Sequence, residues 1–351
     1  MKTGSRITRI QHSTCACHLR NVRRLRSTEC NKYSYIEVLS NKTAGKRIFI
    51  ALGDGRMTVE SDTHPEGTMQ EKIRTGCMGW SYIDWVGPFY PKGASGRDFL
   101  RLYSSVFDAV EVNSSFYRIP ETDTALRWRE VTPEGFIFTL KFPMEIVGAG
   151  KTGMHTAEVE QFENSALSLG RKLAAVLILL PPSETYSKMF DWIRDFTAGL
   201  GNGIRYAMEF RNSSWFREEV YDLLRRRDIC FAWSSNQYLE TPPEITGDIL
   251  YVRLIGDRSL TKFDKIQIDR AAVMKNWVAE VTRAIGDNKV SEALVFSNNH
   301  FAGFAPQTIN TFRKMAGMAE RNWLDLMSRK GNIRAGHSHQ TRLDSVPGHT
   351  G

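Results

Sequence analysis

Between residues 73 and 317 the chain switches repeatedly between two periods of apolar residues. Short β-branched and apolar runs predict eight strands, at 73–80, 109–117, 136–143, 174–182, 205–211, 229–234, 249–256 and 293–299. Helical spacing predicts helices between them, at 97–107, 124–131, 158–170, 186–198, 218–227, 269–285 and 306–318. Val220, Leu223 and Leu224 form one such stripe; Val273, Trp277, Val278 and Val281 form another. Pro242 and Pro243 leave no room for a long helix between strands six and seven. Strands alternating with helices imply a parallel sheet, and eight such units predict an α/β fold of the (β/α)8 TIM-barrel type. A doubly wound open sheet is the alternative. It is weakened because Gly76-Cys77-Met78-Gly79 runs into Trp80 instead of opening a helix, as a dinucleotide-binding turn would. The expected organisation is a basic, low-order extension at 1–70, the barrel at 71–319 and a flexible tail at 320–351.

Composition narrows the class. The 351 residues are 41% hydrophobic and 25% charged, ordinary for a globular protein. No apolar run approaches the roughly 20 residues of a membrane-spanning helix, so no membrane partner is expected. Five cysteines in so long a chain give no disulfide framework, which fits a reducing, cytoplasmic location. The net charge of +8 is unevenly placed. Residues 1–56 hold twelve Lys and Arg against three acids, an excess of nine, so the rest of the chain sums to minus one. This first segment reads as a nucleic-acid arm, a targeting peptide, or an extension ahead of a start near Met57 or Met69; the last is preferred because the regular pattern begins only at Ile73. Cys15, Cys17, His18 and Cys30 have weak zinc-ligand spacing, and accidental clustering is the simpler reading.

The candidate chemistry lies at the strand ends. Strand one ends in Trp80 and Tyr82, and strand two carries Glu111, Asn113 and Ser115, then Phe116 and Tyr117. Strand three ends at Lys141, strand five gives Glu209 and Arg211 with Trp215 beyond, strand six ends in Trp233-Ser234, strand seven carries Arg253, and strand eight ends in Asn298, Asn299 and His300. Side chains alternate along a strand, so Glu111 shares a face with Asn113, and Glu209 with Arg211. A polar ring at the C-terminal face is the usual geometry of a barrel active site. Lys141, Arg211 and Arg253 would form a cationic floor for phosphate or carboxylate. Trp80, Tyr82, Tyr117 and Trp215 would supply flat walls, while Phe116 and Trp233 are expected in the core. Glu111, Glu209 and His300 are the catalytic candidates, the carboxylates as an acid–base pair if their environments split their pKa values. Equally, Glu111 with Lys141 and Glu209 with Arg211 could simply neutralise one another. Between residues 71 and 319 stand two histidines, His155 and His300, and two cysteines, Cys77 and Cys230, too few for a multinuclear zinc site. No cofactor is expected, and a single Mg²⁺ on Glu111 and Glu209 stays open.

At these residues the chain resembles the YecE-like family, domain of unknown function 72. The resembling blocks are Gly76-Cys77-Met78-Gly79-Trp80-Ser81-Tyr82, the run from Trp85 to Pro91, the run from Val110 to Pro120, Phe138 to Pro143, Leu180-Pro181-Pro182, Glu209-Phe210-Arg211 with Trp215, Tyr251-Val252-Arg253-Leu254 with Gly256, and Asn298-Asn299-His300. The resemblance implies a TIM barrel similar to that of zinc-dependent endonuclease IV-type repair enzymes, and no established activity. Three departures stand out. Val147-Gly148 replaces a usual Thr-His, Leu180 a frequent Gln, and Asn212 a usual His. They point to a ligand unlike that of the relatives, or to lost activity.

Two function classes follow. One is a metal-independent hydrolase or lyase acting on a small anionic, nucleotide-like ligand. The other is a non-catalytic barrel that binds a phospho-ligand or nucleic acid. Sequence leaves the oligomeric state open.

Overall fold

A computed structural model describes the backbone of residues 34–41, 46–53 and 56–61, and residues 68–148, 156–236 and 239–324 more fully. The chain divides into two compact units, Met1–Thr63 and His64–Gly351. In the first, β1 (Ser34–Asn41), β2 (Lys46–Gly53) and β3 (Arg56–Ser61) form an antiparallel meander, with a bulge between Tyr35 and Val38. The central strand carries a continuous apolar run, Ile48-Phe49-Ile50-Ala51-Leu52, which a search for period-two alternation passes over. The possible zinc ligands Cys15, Cys17, His18 and Cys30, and the tail beyond Leu324, lie outside the described residues.

The second unit is the expected barrel. Its strands are β4 (Ile73–Met78), β5 (Ala109–Val112), β6 (Ile137–Lys141), β7 (Leu173–Leu180), β8 (Tyr206–Phe210), β9 (Ile229–Phe231), β10 (Trp233–Asn236), β11 (Ile249–Gly256) and β12 (Glu292–Ser297). Every neighbouring pair is parallel, in the order β10-β11-β12-β4-β5-β6-β7-β8-β9. Only Ala232 separates β9 from β10, and its N–H donates to Met208 O at 2.9 Å. The two segments are one strand that pairs with β8 below and with β11 above, so eight strand positions close the ring.

The connections run α1 (Gly96–Ser104), α2 (Thr122–Val131), α3 (Met144–Gly148) and α4 (Thr156–Leu167), then α5 (Tyr186–Gly199), α6 (Glu218–Arg227), α7 (Ala271–Gly286), α8 (Asn299–Ala302) and α9 (Ala305–Met315). Among the described residues no helix links β10 to β11, as the two prolines require. The short α3 and α8 were not legible, since one turn is too little for a periodic stripe. Strand two is also shorter than expected. It ends at Val112, and Ser114–Phe116 turns into a 3₁₀ helix.

Alternation along the strands divides the core. Val110, Val112, Val176, Ile178, Val252 and Val295 pack outward against the helices, while Met78, Ala109, Ala175, Leu177, Ala207, Cys230, Ala232, Tyr251, Leu294 and Phe296 cluster inside the ring. Small residues inside leave space for the large charged side chains above them. Gly76 is fixed by contact, because a Cβ there would lie 1.9 Å from Ala109 O. Tyr103 of α1 ties the same two strands, accepting from Cys77 N–H at 2.6 Å and donating to Ala109 O at 2.9 Å.

Candidate functional site at the barrel mouth

Five charged side chains from four strand positions meet near the C-terminal end of the barrel. Arg253 of β11 is at their centre and is 1% exposed. It donates to Glu111 of β5 in bidentate fashion, from Nε to Oε2 and from Nη2 to Oε1, both at 2.9 Å. Its Nη1 donates to Glu209 Oε2 of β8. Lys141 Nζ of β6 lies 3.4 Å from Glu111 Oε1, and Arg211 Nε, just past β8, lies 3.0 Å from Glu209 Oε1. The result is a chain of alternating sign, Lys141–Glu111–Arg253–Glu209–Arg211. Its three inner side chains are at most 2% exposed, whereas the terminal cations are 11% and 21% exposed.

Three cations against two carboxylates leave a formal charge of +1, which sits at the ends of the chain. Among the described residues the two Nη groups of Arg211 make no hydrogen bond. A chain of this kind is worth building only if complete, because a buried ion left without its partner is strongly destabilising. Further groups complete it. Tyr251 O–H donates to Glu111 Oε2 at 2.9 Å and is itself 2.8 Å from Thr139 Oγ1. Sequence reading missed both residues, although each lies two positions before a site residue on the same strand face. It also passed over Met78, whose sulfur lies 3.5 Å from Arg253 Nη2.

Electrostatics keeps the chain ionised. Burial alone would raise both carboxyls, but Arg253 with Lys141 overrides it at Glu111, and Arg253 with Arg211 holds Glu209 at about 2. Arg253 moves the other way, as the two carboxylates outweigh its desolvation. Burial pushes Lys141 down to about 8, helped by Arg253 and resisted by Glu111 and Glu209. Glu111 and Glu209 therefore shift in the same direction. Both are held toward the ionised form by the guanidinium they share.

The remaining expected site residues separate into groups. Tyr82 and Asn113 belong to the mouth, their side chains donating to Met78 O at 2.7 and 2.9 Å. Gly79, with φ of +95°, makes the turn that brings Tyr82 back over it. Asn298 also faces in, with Nδ2 3.6 Å from the Met78 sulfur while Oδ1 accepts from His300 N–H. Trp80 is half-buried edge-on to Trp128 of α2. Tyr117 is 72% exposed beside Phe116, whose ring lies 5.6 Å from Lys141 Nζ.

Two residues expected to touch ligand are packing elements. Trp215 is fully buried, stacked on Phe210, and its indole N–H donates to Glu184 O at 2.8 Å. Asn299 Oδ1 accepts from Trp85 Nε1 at 3.2 Å and from Ala305 N–H at 3.0 Å, so it staples the last βα loop to the outer core. Arg253, expected in the cationic floor with Lys141 and Arg211, is the buried bridge between Glu111 and Glu209. Ser115, expected beside Asn113, instead turns to donate to Val112 O and to accept from Lys141 N–H at 2.9 Å, which fixes the end of β6. His300 lies against Phe263, with burial and Arg258 pushing its imidazole down. Ser234 completes the inner face beside Arg253. Its hydroxyl is fully buried and has no hydrogen-bond partner among the described residues. No group of three or more potential metal ligands occurs among the described residues.

Residues 74–331 match the family model described as protein of unknown function DUF72. The chain belongs to the DUF72 family. The YunF protein of Bacillus subtilis is 34% identical over 162 residues, covering 43% of this chain and 54% of its own. The YecE protein of Escherichia coli K12 is 36% identical over 144 residues, covering 41% of this chain and 50% of its own. The chain thus spans about half the length of the curated relatives it matches. A crystal structure of a DUF72 protein from Thermotoga maritima superposes with a TM-score of 0.60 at 26% identity, covering 70% of this chain and 99% of that one. A DUF72 structure from Enterococcus faecalis gives 0.56 at 18% identity, covering 70% of this chain and 96% of that one, and supports the fold alone. No helix among the described residues is long and apolar enough to cross a membrane.

Proposed function

We propose that this DUF72 barrel binds a small anion, phosphate- or carboxylate-bearing, at its C-terminal mouth, and acts on it as a metal-independent hydrolase or lyase. The observation that carries the reading is the alternating charge chain with a cation at each end. A purely structural network would be expected to close on itself, whereas this one ends in a half-buried Arg211 at one side and a buried Lys141 at the other. Here Glu209 pins the guanidinium of Arg211 through Nε, and both Nη groups, without a hydrogen bond among the described residues, are the donors available to an oxyanion. The unpartnered hydroxyl of Ser234 is a buried donor on the same inner face. Tyr82, Asn113 and Asn298 offer polar edges around it. An extended nucleic acid is a poorer fit, because the residues after Arg56 carry a net charge of minus one.

The reading is tested by thermal unfolding in inorganic phosphate, sulfate and, as a neutral control, glucose. Saturation at about a hundred times the dissociation constant stabilises the folded state by about 2.7 kcal/mol, or roughly 5–10 °C for a domain of this size. Arg211→Gln should lose most of that response, and the exposed-surface change Lys275→Gln should keep it. Equal shifts with glucose, or an unchanged response in Arg211→Gln, would refute the reading.

A further inference from the structure

We propose that Lys141 is a carbonyl-reactive amine, forming an imine with an aldehyde or keto compound whose anionic group is held by Arg211. This rests on the anion-binding reading of the mouth and adds a covalent step to it. Lys141 is the single lysine in the nine barrel strands. It occupies the last residue of β6, on the inner face at the mouth.

Its ammonium is poorly served. Arg253 and Tyr251 take the two oxygens of Glu111 at 2.9 Å, whereas Lys141 Nζ approaches one of them no closer than 3.4 Å. A lysine placed only to neutralise Glu111 would be expected to hold the shorter contact. The charged groups facing it are Glu111 of β5, Glu209 and Arg211 at the end of β8, and Arg253 of β11, with the Phe116 ring alongside. Two of these are guanidiniums, and desolvation next to a second cation favours the neutral, nucleophilic amine. The position about 8 to which Lys141 is pushed agrees with this geometry. Ser115 holds the backbone N–H of Lys141, so the amine is presented from a fixed strand end.

In the step itself, the lone pair of neutral Nζ adds to the carbonyl carbon while the C=O π pair moves to oxygen. One hydrogen passes from nitrogen to that oxygen, giving the carbinolamine. The C–O bond then breaks, and the hydroxyl leaves with the second nitrogen hydrogen as one water. The product is the neutral imine, and no oxidant or reductant takes part.

The test treats the full chain with pyridoxal 5′-phosphate as an aldehyde probe that carries a phosphate. Borohydride reduction follows, and the labelled lysines are mapped by peptide mass spectrometry. The expected result is about one label per chain, on Lys141, with a rate rising through a midpoint near 8 and not near the 10.5 of an ordinary lysine. Inorganic phosphate should compete, and unphosphorylated pyridoxal should label the wild-type site about tenfold more slowly. Lys141→Arg, checked for folding by circular dichroism, should lose the label. Label spread over exposed lysines such as Lys275 and Lys289, with Lys141 unmodified, would overturn the proposal even if those wild-type experiments were the only ones performed. If phosphate raises the melting temperature while Lys141 stays unlabelled, the imine step falls and the anion site stands. If phosphate neither stabilises nor competes, both fall.

Discussion

Replacing Arg253 by methionine removes the centre of the charge chain and leaves two carboxylates, both fully buried, without their shared partner. Two estimates of the cost agree. Breaking a buried ion pair from one side typically costs about 3–5 kcal/mol. Independently, Glu209 is held at about 2 against an ordinary 4.5, and that difference corresponds to about 3 kcal/mol of stabilisation of the ionised form, with Arg253 the largest single favourable cause and Arg211 the next. Arg211 and Lys141 remain to offset part of the loss, so about 4 kcal/mol at pH 7 is expected, or a fall in melting temperature of roughly 10 °C. The pH dependence carries a sign. Because the folded-state value of Glu209 is depressed, its contribution to the wild type is complete above pH 4.5 and is lost as the pH falls towards 2. In the variant, burial dominates and pushes both carboxyls up, so acid no longer removes a stabilising charge. The gap between the two proteins should therefore narrow below pH 4.5. Urea unfolding followed by tryptophan fluorescence at pH 3, 5 and 7 measures it. A loss under about 1 kcal/mol at pH 7, or a gap constant from pH 3 to 7, would refute the bridging role.

Other consequences are independent of ligand. Gly76→Ala should destabilise by about 3 kcal/mol or more, because its Cβ meets the Ala109 carbonyl at 1.9 Å and only strand separation relieves the clash; equilibrium unfolding measures this. His300 should titrate below 6.5 by NMR, so the stability it contributes falls as acid protonates it, and a midpoint at or above 6.5 contradicts the burial seen here. Removing Met1–Thr63 should leave the melting temperature of the barrel within about 2 °C, because that unit is compact by itself; a larger fall or aggregation would contradict the division. Elemental analysis should find less than about one equivalent of zinc, given only two His and two Cys between residues 71 and 319.

The barrel was legible because most strands are apolar runs of the right length, many of them β-branched, flanked by helical stripes. Each signal is local. The break at Ala232 was not, since β9 and β10 read as one run and are separated only by which neighbour they pair with. The charge chain was half legible. Alternation places Glu209 with Arg211, and strand order places Glu111 near Lys141, so the simple pairs were visible. That Arg253 reaches both carboxylates depends on register across the barrel, which no single strand encodes. The same limit explains Ser115, Asn299 and Trp215. Ser115 lies beyond a strand that ends at Val112, Asn299 turns outward into α8, and Trp215 folds back under the α5 and β8 ends. Polar or aromatic residues past a strand end look alike in sequence whether they face the mouth or staple the loop.

The cationic ends of the charge chain, Lys141 and Arg211, are proposed to hold an anion. Crystals grown without phosphate or sulfate and soaked in tungstate would test it through the anomalous signal of the metal. The expected result is a peak at the mouth with oxyanion oxygens roughly 2.7–3.2 Å from the Nη atoms of Arg211 and within reach of Lys141 Nζ, abolished in Arg211→Gln crystals. Tungstate bound on the protein surface with the mouth empty, or a mouth peak that persists unchanged in Arg211→Gln, would contradict it.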